Sequence, residues 1–229
     1  MSTQASSRTK ILFVIGLIAA IAFIIGDIVD LYWLRMVAKP IPVLLMAIYL
    51  LSMPGKKRFQ WLVIIGLALG MTGDILLEYS PATFLFGLIA FLLGHIFYII
   101  AFTLDCRRSG LGYAVFVYLY GVALYGLLET GQLGDMALPI LLYILVITTM
   151  VWRAAVRYHA PGVNDTSAKA GAIGAILFLA SDSLLAIILF IYDIPYAGVL
   201  VIITYWLAQL SITLAARTQN QPQTLQTAS

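Results

Sequence analysis

Thr83-Phe84-Leu85-Phe86-Gly87-Leu88-Ile89-Ala90-Phe91-Leu92-Leu93-Gly94-His95-Ile96-Phe97-Tyr98-Ile99-Ile100-Ala101-Phe102-Thr103-Leu104 contains no lysine, arginine, aspartate or glutamate. A helix of that length rises roughly 33 Å, about the thickness of a bilayer's hydrocarbon core. In lipid such a run can satisfy its backbone polar groups only as a helix or within a closed barrel, and its length and lack of alternation select the helix. Outward from 83–104, similar apolar runs occupy 60–78, 38–53 and 11–29 on one side. On the other side they occupy 111–128, 136–156, 169–191 and 195–215. The breaks carry turn formers and polar residues, as in Pro54-Gly55-Lys56-Lys57-Arg58 and Pro161-Gly162-Val163-Asn164-Asp165. The run at 38–53 is short and opens on Lys39-Pro40-Ile41-Pro42, where proline suits a helix start. The expected fold class is all-α, a polytopic membrane helical bundle of about eight transmembrane helices.

Composition agrees. Of 229 residues, 62% are hydrophobic and 10% charged, against about 45–50% and about 25% in soluble domains. A formal charge of +3, scattered along the chain, gives no reason to expect a nucleic-acid partner. The single cysteine, Cys106, excludes an intrachain disulfide and any CxxC pair. Arg8 and Lys10 before the first apolar run superficially resemble a signal peptide. However, Gly26-Asp27-Ile28-Val29-Asp30 and the bulky Leu31-Tyr32-Trp33 follow where a small-residue cleavage site would be needed, so the run is read as a span. The expected organisation is a cytoplasmic N-terminal tail (1–10), an eight-helix transmembrane domain (11–216) and a Gln/Thr-rich disordered C-terminal tail (217–229).

The positive charges orient the bundle. With the N-terminus inside, the inner segments hold Arg8, Lys10, Lys56, Lys57, Arg58, Arg107, Arg108, Arg153, Arg157, Lys169 and Arg217, whereas the outer side holds only Arg35 and Lys39. This asymmetry predicts that both termini are cytoplasmic. Glu78, Glu129, Asp135 and Asp193 fall on the outer side.

Two acids have no interfacial home. Asp74 in the third span and Asp182 in the seventh both lie ~20 Å from the inner face, because both spans run outward. A carboxylate at that depth costs a few kcal/mol unless it is protonated, paired or solvated. Either acid alone could serve as helix–helix glue, but equal depth is more than glue requires. Thr72-Gly73-Asp74-Ile75-Leu76-Leu77 echoes Ala180-Ser181-Asp182-Ser183-Leu184-Leu185, which suggests two parallel four-helix repeats with a site where they meet. His95 lies at a compatible depth, and Tyr205 and Gln209 share a helix face at i, i+4. His95 and His159 are far apart and no HxxxH or HExxH spacing exists, so no metal and no cofactor are expected. GxSxG, Gly-rich phosphate loops and an acceptable Ser-His-Asp set are also missing.

Several stretches occur in a familiar order. They are Lys39-Pro40-Ile41-Pro42, Gly73-Asp74-Ile75-Leu76-Leu77, His95-Ile96-Phe97-Tyr98, Trp152-Arg153-Ala154, Leu177-Phe178-Leu179-Ala180-Ser181-Asp182-Ser183-Leu184-Leu185-Ala186 and Tyr205-Trp206-Leu207-Ala208-Gln209. Over roughly residues 35–212 the chain resembles the YhhN-like lysoplasmalogenase family of polytopic membrane proteins. The resemblance implies hydrolysis of the vinyl ether bond of lysoplasmalogens to a fatty aldehyde and a glycerophospho-alcohol.

Vinyl ether cleavage requires a positioned acid, a carboxylate to stabilise an oxocarbenium ion and steer water, and a dry pocket. Asp74 and Asp182 are the expected catalytic pair, since close carboxyls cannot both ionise easily and so retain a proton between them. His95, Tyr98, Tyr205 and Gln209 are expected to line the site, and Lys39 to hold the substrate phosphate. The expected partners are a lysophospholipid substrate and membrane lipid, and no oligomeric state is implied. Compact loops favour a bacterial inner membrane.

A proton-coupled small-molecule or lipid transporter is the main alternative, since it would also place acids in the membrane. It would be recognised by flux without product. A lipid-binding sensor would bind lysolipid without turnover.

Overall fold

The computed structural model describes residues 2–192 and 194–220, and among these there are α-helices, two short 3-10 turns and no strands. The helices are α1 (Ser2–Ile28), α2 (Tyr32–Ala38), α3 (Ile41–Ser52), α4 (Arg58–Tyr79), α5 (Phe84–Asp105), α6 (Leu111–Glu129), α7 (Ala137–Ala155), α8 (Asp165–Phe190) and α9 (Ala197–Thr218). Together they provide eight helical segments long and apolar enough to cross a membrane. The protein is therefore a multi-pass membrane protein. α1 starts at Ser2, so residues assigned from sequence to a tail belong to the first helix. Of the expected C-terminal tail, 221–229 lie outside the described residues, as does Asp193 among the outer acids.

The second span differs from its reading. It runs over Tyr32–Ser52, longer than 38–53, and is interrupted at Pro40. Lys39 (φ −55°, ψ −49°) and Pro40 (φ −77°, ψ −17°) both keep helical dihedrals, so the proline interrupts the helix without ending it. Arg35, counted among the outer charges, lies inside this helical segment. Its charge is met by Glu78 of α4 at 2.8 Å and by Asp30 at 2.7 Å, which lets the apolar residues around it stay helical.

The most extensive pairings are α4 with α5 and α8 with α9, that is, third with fourth span and seventh with eighth. A doubled four-span unit would produce this pairing twice. Leu67, Phe102, Met150, Phe178 and Ile212 fill the buried centre, while Phe116, Val122 and Ile18 point outward, as suits a lipid solvent.

At the end carrying the expected inner loops, one cation is not at the surface. Arg157, between α7 and α8, is fully buried. It pairs with Asp105 at 2.6 Å, donates to Ser167 Oγ at 2.7 Å and lies over the rings of Phe59 and Phe102. Burial pushes its guanidinium down from the ordinary arginine value, and Asp105 pulls it back up. Gln219 Nε2 also donates to Asp105, at 2.7 Å, tying the end of α9 to that of α5. The charge pattern that oriented the chain thus includes a buried structural ion pair.

Candidate active site

Where α1, α4, α5, α6, α7, α8, α9 and the junction of α2 with α3 converge, toward the end at which α4 and α8 finish and α5 and α9 begin, there is a cavity of about 300 Å³. Asp27, Lys39 and Glu78 line its polar side, and Leu124, Leu128, Ile140, Ile144, Leu189 and Phe190 its apolar side. Asp74 and Asp182 both line it. Measured from the first residues of their helices, which both start earlier than read, they lie ~24 Å and ~26 Å along α4 and α8.

No hydrogen bond joins the two carboxyls among the described residues. Each instead accepts one from a tyrosine on a third or fourth helix. Tyr205 of α9 donates to Asp74 Oδ2 at 2.7 Å, and Tyr143 of α7 donates to Asp182 Oδ2 at 2.5 Å. The picture of one proton held directly between the acids is therefore replaced by two carboxyl–phenol pairs facing one cavity. Tyr143 was missed in the sequence. Its signal was depth: it lies six residues into α7 from the end at which Asp182 lies eight residues short of the close of α8.

The remaining site residues divide. Tyr205 and Lys39 line the cavity; Tyr98, Gln209 and His95 do not. Tyr98 and Gln209 stand behind Tyr205 and reach the cavity through it. Tyr98 Oη donates to Gln209 Oε1 at 2.7 Å, and Gln209 Nε2 donates to Tyr205 Oη at 3.3 Å. All three side chains are buried. α4 makes room for them with glycine. A Cβ at Gly70 would fall 2.7 Å from Gln209 Nε2, and one at Gly66 would overlap the Tyr98 ring.

His95 is packed edge-on to Phe178, with ring centroids 4.4 Å apart, and against Tyr143 at 5.4 Å. Neither ring nitrogen has a hydrogen-bond partner among the described residues. The rotation of α5 turns it into the aromatic packing behind the cavity. An unsatisfied buried polar group costs ~1–3 kcal/mol. His95→Leu is therefore expected to melt at or above the wild-type temperature in detergent. A drop of several degrees would show that the imidazole has a polar partner.

Lys39 Nζ is 3.1 Å from Glu78 Oε2, and Glu78 also receives Arg35, so the cation facing the cavity is already half-neutralised. Ser181 and Ser183 line the cavity too, but their hydroxyls donate to the carbonyls of Val201 at 2.8 Å and Leu179 at 2.6 Å. A serine nucleophile would need a neighbouring base, and among the described residues neither hydroxyl hydrogen-bonds to a histidine, lysine or carboxyl. Among the described residues there is no cluster of three or more His, Cys, Asp or Glu arranged to hold a metal ion.

The arrangement offers two carboxyls in a largely apolar chamber with one charged wall. That suits acid catalysis on an amphiphile whose reacting bond lies between a polar head and an apolar chain.

Comparison with known proteins points the same way. The model of the YhhN family matches residues 34–216. Lysoplasmalogenase TMEM86B of Rattus norvegicus is 30% identical over 184 residues, 80% of this chain and 73% of the relative. Lysoplasmalogenase TMEM86B of Homo sapiens is 31% identical over 195 residues, 85% of this chain and 80% of the relative. Lysoplasmalogenase TMEM86A of Homo sapiens is 31% identical over 179 residues, covering 76% and 71% respectively. No solved structure matches the chain.

Proposed function

The chain belongs to the YhhN family, and from that premise we propose that it is a membrane hydrolase that cleaves the vinyl ether bond of lysoplasmalogens. The products are a fatty aldehyde and a glycerophospho-alcohol. The observation that carries this reading is the pair of carboxyls, Asp74 and Asp182, on one cavity with a charged side and an apolar side. The relatives' shared description as lysoplasmalogenases supports the substrate class.

The chemistry needs only acid–base steps, the addition of one water and the cleavage of one C–O bond. One carboxyl protonates the alkene carbon remote from the ether oxygen, forming a C–H bond and an oxocarbenium ion. The other, as carboxylate, stabilises that cation and removes a proton from the water that adds to it. The resulting hemiacetal collapses when its C–O bond to the glycerol breaks. The leaving oxygen takes back the proton removed from water, and the hemiacetal hydroxyl returns its own to the first carboxyl. Both acids are then restored, and one water has been consumed. Positive charge developing at the reacting carbon parallels that in glycoside cleavage, where a carboxyl pair divides the same two tasks.

Leu124, Leu128, Ile140 and Ile144 would hold the alkenyl chain and exclude bulk water. Lys39 would meet the phosphate at the charged side, with Glu78 and Arg35 holding its ammonium in place. Purified protein incubated with an alkenyl lysolipid is expected to release a long-chain aldehyde, and with the saturated alkyl-ether analogue to release none. Equal release from both would exclude alkene protonation. Flux into proteoliposomes without product would favour a carrier.

A further inference from the structure

Resting on the reaction above, the geometry points to a division of labour. Asp182 is the acid that protonates the alkene, Asp74 is the carboxylate, and Gln209 with Tyr98 are positioning residues that enforce the difference.

The argument follows the hydrogens. Tyr98 is 1% exposed, and among the described residues its hydroxyl has one partner, the Gln209 amide. A phenol has one proton to donate, and burying it unsatisfied forfeits the full desolvation of the group. The amide therefore presents its oxygen to Tyr98, since a reversed amide would leave that proton without an acceptor. With Oε1 committed, Nε2 faces Tyr205 and donates to its hydroxyl oxygen at 3.3 Å. The Tyr205 hydroxyl then has its own proton to place, and Asp74 Oδ2 at 2.7 Å receives it. The chain Tyr98, Gln209, Tyr205, Asp74 is thus polarised in one direction and ends on an acceptor. A donated hydrogen bond at that end favours the ionised carboxyl.

Asp182 has no such relay. Its partner Tyr143 has no other hydrogen-bond partner among the described residues, and Tyr143 lines the cavity. No amide relay fixes the Tyr143 hydrogen on Asp182 Oδ2 as Gln209 fixes that of Tyr205 on Asp74, and Asp182 Oδ1, which has no hydrogen-bond partner among the described residues, can carry the carboxyl proton toward water or substrate in the cavity.

The charged surroundings differ in the same sense. Asp74 is faced by Lys39 and Tyr205, with Glu78 one turn along α4 and Asp182 across the cavity. Asp182 is faced by Tyr143 and has no cation of its own among the described residues, while Asp27 lies on the cavity wall with Lys39.

In the reaction, the O–H bond of Asp182 breaks as the new C–H bond forms, and Asp74 takes the proton of the attacking water. When the hemiacetal collapses, Asp74 returns that proton to the departing glycerol oxygen, and the hemiacetal hydroxyl reprotonates Asp182.

Infrared difference spectroscopy of the full chain in detergent reads the two protonation states without turnover. The protonated-carboxyl stretch is expected in the wild type, retained in Asp74→Asn and lost in Asp182→Asn. Gln209→Leu is expected to gain a second such band, which adding Asp74→Asn removes. Tyr98→Phe, the gentler variant, should show the same gain more weakly. Because neither side chain lines the cavity and both act through Tyr205, both variants should lower kcat while leaving KM near wild type.

A band lost in Asp74→Asn and kept in Asp182→Asn inverts the assignment, and a wild type without the band overturns it. An unchanged spectrum in both Gln209→Leu and Tyr98→Phe removes the positioning role. The expected bands in a protein that releases no aldehyde would sink the proposed reaction but leave the division of protonation standing.

Discussion

Asp74→Asn and Asp182→Asn are each expected to abolish aldehyde release while leaving a monodisperse, detergent-stable protein. Each substitution exchanges a carboxyl for an amide of nearly the same shape. The amide oxygen still accepts from Tyr205 or Tyr143, so the hydrogen bonds at 2.7 Å and 2.5 Å retain an acceptor. What is lost is chemical. An amide can neither deliver the proton that the alkene needs nor balance the cation that forms. Positioned general acid–base catalysis contributes ~10²–10⁴-fold, so activity should fall by at least that range in either variant. Unchanged turnover in one of them, with elution and melting like wild type, would remove that acid from the mechanism.

Arg157→Ala should produce the largest loss of stability. Asp105 would remain, with its side chain only 8% exposed and without its cation. Breaking a buried pair by removing one partner costs ~3–5 kcal/mol, because the other charge stays uncompensated. Ser167 would also lose the donor at 2.7 Å, and Phe59 and Phe102 the guanidinium above their rings. Thermal unfolding in detergent should show a much lower midpoint. Adding Asp105→Leu to Arg157→Met should recover part of it, since no buried charge is then left alone. A midpoint unchanged in Arg157→Ala would mean that the pair is hydrated in the folded protein.

These two sites mark where sequence reading succeeds and where it stops. Span number and depth follow from hydropathy and from a rise of about 1.5 Å per residue, which is why Asp74 and Asp182 could be assigned to one level. Rotation about each helix axis leaves no trace in such a pattern. His95 and Tyr143 lie at usable depths, yet only packing turns Tyr143 to Asp182 and His95 to Phe178. Arg157 read as one more inner-side cation because a run of polar residues does not show which of them folds inward. The interruption at Pro40 misplaced the second span for a related reason. Arg35 counted among the outer charges, and its partner, Glu78, is 43 residues away in the chain. Nothing in the hydropathy of α4 sets Gly66 and Gly70 apart, although they leave the room that Tyr98 and Gln209 occupy.

Isotopic tracing of the products addresses acid-initiated cleavage most directly. Turnover of an alkenyl lysolipid in D₂O enriched in ¹⁸O, with the aldehyde trapped by reduction as it forms, should place one deuterium on the carbon next to the aldehyde. The glycerophospho-alcohol should retain its original oxygen. Heavy oxygen in that alcohol, or an aldehyde without deuterium, would show that a different bond breaks and that Asp74 and Asp182 serve some other end.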